Sequence, residues 1–210
     1  MFALSPDAPP ALPFWIDGRA VLSLGERLVD VQNPRQEPVL RRVPVCDAAV
    51  AQRAVAAARA AQPAWAALDP ALRQGVLAAL ATALAGYAPH FARLLGEDAG
   101  LTATAAAEDV ARAEQALLAL PAQAPLSPVC ALLPAADDPA PFSDAVRRLA
   151  MALNAGSAVL LLSSPCVAAP LLALAELAAR SGVPAGVFNL VHGDAMSARA
   201  LQAAIGDSAG

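Results

Sequence analysis

Three short apolar runs, Val129 to Leu133, Ala158 to Leu162 and Val187 to Val191, constrain this chain more than any other feature. Each is followed by a segment with helical spacing: Phe142 to Leu153, Pro170 to Arg180, and a last one ending near Ile205. Strand and helix alternating in this way predict a parallel sheet joined by right-handed crossovers. The runs lack polar alternation, as strands covered on both faces do. Residues 128–210 therefore read as one half of a doubly wound nucleotide-binding fold.

The preceding residues have a different texture. Phe14-Trp15-Ile16-Asp17-Gly18-Arg19 predicts a hairpin around an Asp-Gly turn. Val29 to Val31 and Val39 to Val43 predict further short strands on either side of the Asn33-Pro34 turn. Asp47 stands as an N-cap before an Ala-rich helix that Pro63 is expected to interrupt. Asp69-Pro70 opens a second helix with proline at its first position, and Leu72, Val76, Leu77, Leu80 and Leu84 give it an apolar face. A third helix is predicted from Ala103 to Leu120, followed by a stiff connector carrying Pro121, Pro125 and Pro128.

The expected fold class is thus α/β: an incomplete doubly wound (Rossmann-like) parallel sheet, preceded by a short β-hairpin region and an Ala-rich helical region. Residues 1–13 read as a flexible tail, 14–127 as hairpins and helices, and 128–210 as the β/α unit, all in one structural domain.

Composition narrows the function. The net charge is −4 with no basic stripe, which excludes nucleic acid, because phosphate binding needs clustered cations. All 14 basic residues are arginines, so no function that needs an ε-ammonium is open to the chain. Cys46, Cys130 and Cys166 stand at no metal-ligand or redox spacing and read as free thiols of a reducing cytoplasm. The uncharged stretch between Arg148 and Glu176 is broken by Asn154, Gly156, Ser163, Pro165 and Pro170, which points to a buried strand and helix and not to a membrane span. Asp137 and Asp138 lack further ligands and read as a solvated loop. His192 reads as a satisfied structural histidine, and His90 as part of a helix end or loop.

The stretch Leu149 to Leu160 resembles the "LAPALAAGNTVV" of the aldehyde dehydrogenase superfamily. Leu174-Ala175-Glu176-Leu177 resembles its "LAEL", and Ser181 to Asp194 its "AGLPAGVFNVVTGD". Phe14 to Gly18, Asn33-Pro34, Ala64-Trp65 and Arg73 are similar to further pieces of that family in the same order. The resemblance covers nearly the whole chain but only the first, coenzyme-binding part of family members, which are more than twice as long. It implies a fold that binds NAD(P) and chemistry run by a cysteine nucleophile, a glutamate and an oxyanion-holding asparagine. The nucleophile's domain lies past Gly210, and Cys166, with no base or cation near it, is a poor substitute.

The same resemblance shows losses. The asparagine of the family's "PWNFP" loop is absent from Pro134 to Phe142, where Pro134 is kept and Asp137 and Asp138 stand instead. The ribose-binding "KPSE" corresponds to Leu162-Ser163-Ser164-Pro165, so that a leucine replaces the lysine, a proline replaces the glutamate, and Ser164 remains. Gly193 is kept in the phosphate turn, while Ala195 and Arg199 replace its later glycines. Pro134, Leu162, Ser164, Pro165 and Gly193 are therefore expected to be vestigial cofactor positions, with no catalytic residue and no metal ligand. The expected role is a structural or regulatory partner of a full-length aldehyde dehydrogenase, or self-association. The alternative is an NAD(P)-dependent aldehyde dehydrogenase fragment that still binds NAD or NADP and takes its catalytic cysteine from another polypeptide; a third reading is a decaying gene product. A three-strand half-sheet also leaves an edge and an apolar flank where missing strands would lie.

Overall fold

The structure, a computed structural model, describes residues 9–22, 27–35, 38–120, 127–132 and 141–207. The expectations for Pro134, Asp137 and Asp138, and for Pro121 and Pro125 of the connector, lie outside the described residues.

Three strands form the parallel sheet: β5 (Val129–Leu132), β6 (Ala158–Ser163) and β7 (Phe188–His192). The sheet is wider, by two antiparallel strands, than the three-strand unit that the apolar runs alone define. Hairpin β1 (Phe14–Ile16) and β2 (Arg19–Val21) joins at β7, giving the order β2-β1-β7-β6-β5. The hairpin turns at Asp17 and Gly18, both at positive φ, as a two-residue turn matched to strand twist requires. Its position is set by Asn189, whose side-chain oxygen accepts from the Asp17 amide at 3.0 Å. A separate two-stranded sheet pairs β3 (Leu28–Asp30) with β4 (Arg42–Pro44).

Side chains of β6 alternate between two apolar clusters even though all are buried. Val159 and Leu161 enter the larger cluster with α2 (Pro70–Gly86), α3 (Ala88–Ala99), α4 (Ala103–Leu118), α5 (Pro141–Asn154) and α6 (Ala168–Arg180). Ala158, Leu160 and Leu162 enter the other, with α1 (Ala48–Ala66), α7 (Ala195–Asp207) and Phe14 and Ile16 of β1. Crossover helices α5 and α6 thus share one face, while α7 covers the opposite one. The uncharged stretch from Leu149 runs through the end of α5, β6 and α6. No single helix among the described residues is long and apolar enough to cross a membrane.

The caps follow the sequence. Asp47 accepts from the Val50 amide at 2.8 Å and Asp69 from the Ala71 amide at 2.7 Å, with Pro70 in the first turn. Four local expectations change. Helix α1 does not stop at Pro63 but continues to Ala66, because the buried Trp65 is anchored beyond it by an indole bond to the Leu153 carbonyl at 2.9 Å. Helix α3, absent from the sequence reading, occupies Ala88 to Ala99. Leu72 does not join the apolar face of α2 but lies 60% exposed. Residues 9–13, read as tail, are tied down: Leu12 donates to the Arg42 carbonyl, Arg42 donates back to Pro10, and its guanidinium holds the Pro9 carbonyl.

Arg73, 7% exposed, binds the chain where two helices end. Its guanidinium donates to the carbonyls of Ala66 (3.2 Å), Leu68 (2.5 Å) and Asn154 (3.1 Å). Those are carbonyls at the C-terminal ends of α1 and α5, which lack intrahelical partners.

Candidate functional site at the carboxyl edge of the sheet

In doubly wound sheets ligands approach the carboxyl ends of the strands. Here that edge carries Leu162 and Ser163 at the end of β6 with Ser164 and Pro165 after it, and His192 at the end of β7 with Gly193 and Asp194 after it. The register sets Ser163 beside His192. Leu162 does not face solvent; it is 2% exposed, packed in the cluster with Phe14, Val55 and Leu201. Pro165 begins a 3-10 turn, Pro165–Val167, that leads into α6. Ser164 is half-buried, and its hydroxyl lies 3.2 Å from the Cys166 sulfur.

Ser163 and His192 are both buried and linked. The His192 Nε2 lies 3.0 Å from the Pro13 carbonyl, which can only accept, so the ring proton is assigned there. Nδ1 then accepts from the Ser163 hydroxyl at 2.6 Å. Burial pushes the His192 pKa down to about 4, keeping the ring neutral, and Phe14 stacks on it at 5.7 Å. The arrangement looks like the start of a nucleophilic dyad, but both members are enclosed. The third partner is a carbonyl that fixes the ring and cannot stabilise an imidazolium as a carboxylate does. His192 is thus the satisfied structural histidine that its place in the chain predicts.

The amides that open the two following helices are already engaged by carboxylates. Asp194 accepts from Met196 (2.9 Å) and Ser197 (3.2 Å) at the start of α7. The bond from the Ser197 amide, seconded by Met196 and by Arg27 at 3.0 Å, holds its pKa below the usual carboxylate range. At the start of α6 the acceptor is Asp98 of α3, which takes the Ala169 amide at 3.1 Å and pairs with Arg41. Desolvation raises the Asp98 pKa to about 6 despite that pair. Its neighbour Glu97, although burial works against it, is held low by hydrogen bonds from Arg41 and Arg93.

Gly193 is also closed in. A Cβ there would lie 2.5 Å from the Ser197 Cβ, and φ is +155°. Ser197 is buried, its hydroxyl donating to the Cys46 carbonyl at 2.8 Å. Cys46 itself is buried, and desolvation, with Asp47 adding to it, pushes the thiol up to about 12. Among the described residues no group of His, Cys, Asp and Glu could hold a metal ion. Sequence reasoning missed the Ser163–His192 pair and the Asp98 cap. The first depends on strand register and the second on a contact across 71 residues, neither of which has a local signature.

Fold and edge together define an α/β protein of the Rossmann-like class, with a parallel sheet flanked by helices on both faces. The model of the aldehyde dehydrogenase family matches residues 21–128 and 139–205, and the chain belongs to that family. It is 29% identical to the rat (Rattus norvegicus) mitochondrial acylating methylmalonate-semialdehyde/malonate-semialdehyde dehydrogenase, over 91% of this chain and 39% of that protein. It is likewise 29% identical to the lactaldehyde dehydrogenase of Escherichia coli K12, over 88% of this chain and 43% of that one. Among solved structures, a protein of Sinorhizobium meliloti 1021 assigned as a methylmalonate-semialdehyde dehydrogenase and complexed with NAD superimposes with a TM-score of 0.84 at 26% identity, covering 92% of this chain and 43% of that chain. The chain therefore spans about two fifths of the length of these relatives. The match breaks between residues 128 and 139, a stretch that includes β5.

Proposed function

We propose that this chain is a non-catalytic aldehyde dehydrogenase-like module, a structural or regulatory partner of a full-length aldehyde dehydrogenase in the cytoplasm. The observation that carries the reading is Leu162, buried among apolar side chains where the family resemblance implies a ribose-binding cation. A leucine gives a ribose hydroxyl no hydrogen bond, and Pro165 gives it no carboxylate. The amides at the starts of α6 and α7 are spent on Asp98 and Asp194. The described residues of this edge do not fit an NAD(P) cofactor.

The thiols support the same reading. A nucleophilic cysteine works as the thiolate, and Cys46, at about 12, stays protonated at neutral pH. Cys166 has the Ser164 hydroxyl as its hydrogen-bonding neighbour. Calorimetry of the purified chain with NAD and NADP tests the reading: no binding is expected at millimolar cofactor, and a sub-millimolar Kd overturns it. Co-expression with a full-length aldehyde dehydrogenase from the same genome is expected to yield a complex of fixed stoichiometry.

A second reading, an oxidoreductase fragment that binds NAD(P) and borrows a cysteine from another polypeptide, draws support from Ser164, which is still placed at the mouth of β6, and from the NAD complex of the Sinorhizobium relative. A cofactor-dependent thermal shift would favour it.

A further inference from the structure

The corner between α2 and α3 leaves a cleft of about 100 Å³ against the C-terminal half of α6. Its lining residues all lie at that corner or on α6, which packs against α2, α3, β7 and β1 on the side of the sheet that the hairpin covers. Helix α6 begins at the carboxyl edge, so the cleft sits at the helix end remote from that edge. The buried side chains of Phe91 and Leu177 form an apolar floor, and Tyr87, 53% exposed, stands at the rim. An aliphatic group laid on that floor and ring leaves water at a gain.

Two opposite charges line the same cleft without meeting. Glu176 and Arg180 stand four residues apart on α6, the spacing at which a glutamate and a following cation ordinarily pair. Among the described residues neither takes part in an ion pair or a hydrogen bond. Nor is Arg180 drawn to the end of its own helix, whose carbonyls are already taken. The Leu177 carbonyl accepts from the Ser181 amide and hydroxyl, both at 2.9 Å, and the Ala178 carbonyl from the Ser181 and Val183 amides at 3.1 and 3.0 Å. Glu176 is half-buried, so its carboxylate has given up part of its water with no partner in exchange, a cost that a bound cation offsets. His90 adds a donor to the cleft. Arg93 can only donate to its Nδ1, at 3.2 Å, which puts the ring proton on Nε2.

We infer that this cleft binds a free aliphatic α-amino acid. The ligand's ammonium meets Glu176, its carboxylate meets Arg180 with His90 Nε2 as a second donor, and its side chain lies on Phe91 and Leu177. A ligand with a single charge leaves one member of the pair as it was, whereas a zwitterion bridges both. The volume is well below the roughly 300–1,000 Å³ of pockets that enclose a drug-sized ligand, so it suits a side chain of a few carbons and excludes a dinucleotide. The inference goes beyond the proposed function and does not depend on it, since the cleft and the carboxyl edge share no residue.

One tyrosine and two histidines in the whole chain make the test direct. In an NMR titration with L-leucine, the ring resonances of Tyr87 and His90 are expected to shift saturably while those of the enclosed His192 stay in place. Glycine lacks the side chain, isoamylamine the carboxylate and isocaproate the ammonium; each is expected to bind about tenfold more weakly than leucine or worse. Glu176→Gln is expected to bring leucine down to the level of isocaproate, and Arg180→Gln to that of isoamylamine, both with unchanged circular dichroism. Should either variant unfold, the ligand series on the wild-type chain still decides. No saturable shift of Tyr87 and His90 at tens of millimolar leucine, or equal binding of leucine and its two singly charged analogues, overturns the inference. A chain that takes both leucine and NAD would keep it and sink the non-catalytic reading; a chain that takes neither would do the reverse.

Discussion

The Ser163 hydroxyl and His192 Nδ1 lie 2.6 Å apart at the ends of two neighbouring parallel strands, enclosed on every side. The pair joins β6 to β7, and through the Pro13 carbonyl it also holds the segment that leads into β1. One neutral ring therefore ties three strands at the edge where a ligand would approach.

That ring sets an acid limit on the fold. The folded-state pKa of His192, about 4, lies below the unfolded value near 6.5, so the unfolded chain binds the proton more tightly. The contribution is present above pH 6.5 and is lost as pH falls through 4, amounting to about 3 kcal/mol. Urea unfolding across this range should show the loss, and His192→Gln should remove it. Ser163→Ala, which leaves Nδ1 without a donor, should cost about 1–3 kcal/mol at pH 7.

Asp98 works in the opposite direction. Its pKa is raised from 3.8 to about 6, so its contribution is present below pH 3.8 and is lost as pH rises through 6. Between pH 4 and 6 it offsets His192, and the wild-type acid limb should be shallow. Asp98→Asn should steepen it, since only the histidine then titrates in that window. Asp98→Ala also leaves Arg41 without its buried partner and the Ala169 amide without an acceptor. Breaking a buried pair in that way should cost about 3–5 kcal/mol by urea unfolding at pH 7.

Arg73 offers a test of geometry as against charge. Arg73→Met should destabilise the chain by about 3 kcal/mol, because it leaves buried helix-end carbonyls without a donor. Arg73→Lys keeps the charge but loses the planar fork that spans Leu68 and Asn154, and should recover less than half of the loss. Thermal unfolding of the two variants side by side measures the difference.

The strands that carry this site were readable because they are continuous apolar runs, and their bounds differ from the predicted ones by no more than a residue. Pro63 misled because local chemistry argues for a helix end, while Trp65, two residues further on, holds the helix on. Helix α3 was hidden although Phe91, Leu94 and Leu95 have helical spacing, since its fourth buried position is Asp98, a charge that only Arg41 and Ala169 make tolerable. That Leu162 packs into the core with α1 and α7 needed the fold.

Gly193 and Ser197 give the last test. The serine hydroxyl fills the space that a Cβ at position 193 would take, and it donates to the Cys46 carbonyl at the entry to α1. Gly193→Ala must push Ser197 away or bend the turn, and it also meets an unfavourable φ; a loss of about 2–4 kcal/mol is expected. Ser197→Gly alone gives up one buried hydrogen bond and adds backbone freedom, about 1–2 kcal/mol. If the two residues compete for one space, the double variant should be more stable than the sum of the single losses predicts, by about 1 kcal/mol or more. Additive losses in a double-mutant cycle would show that the strain at Gly193 lies in its backbone and not in its contact with Ser197.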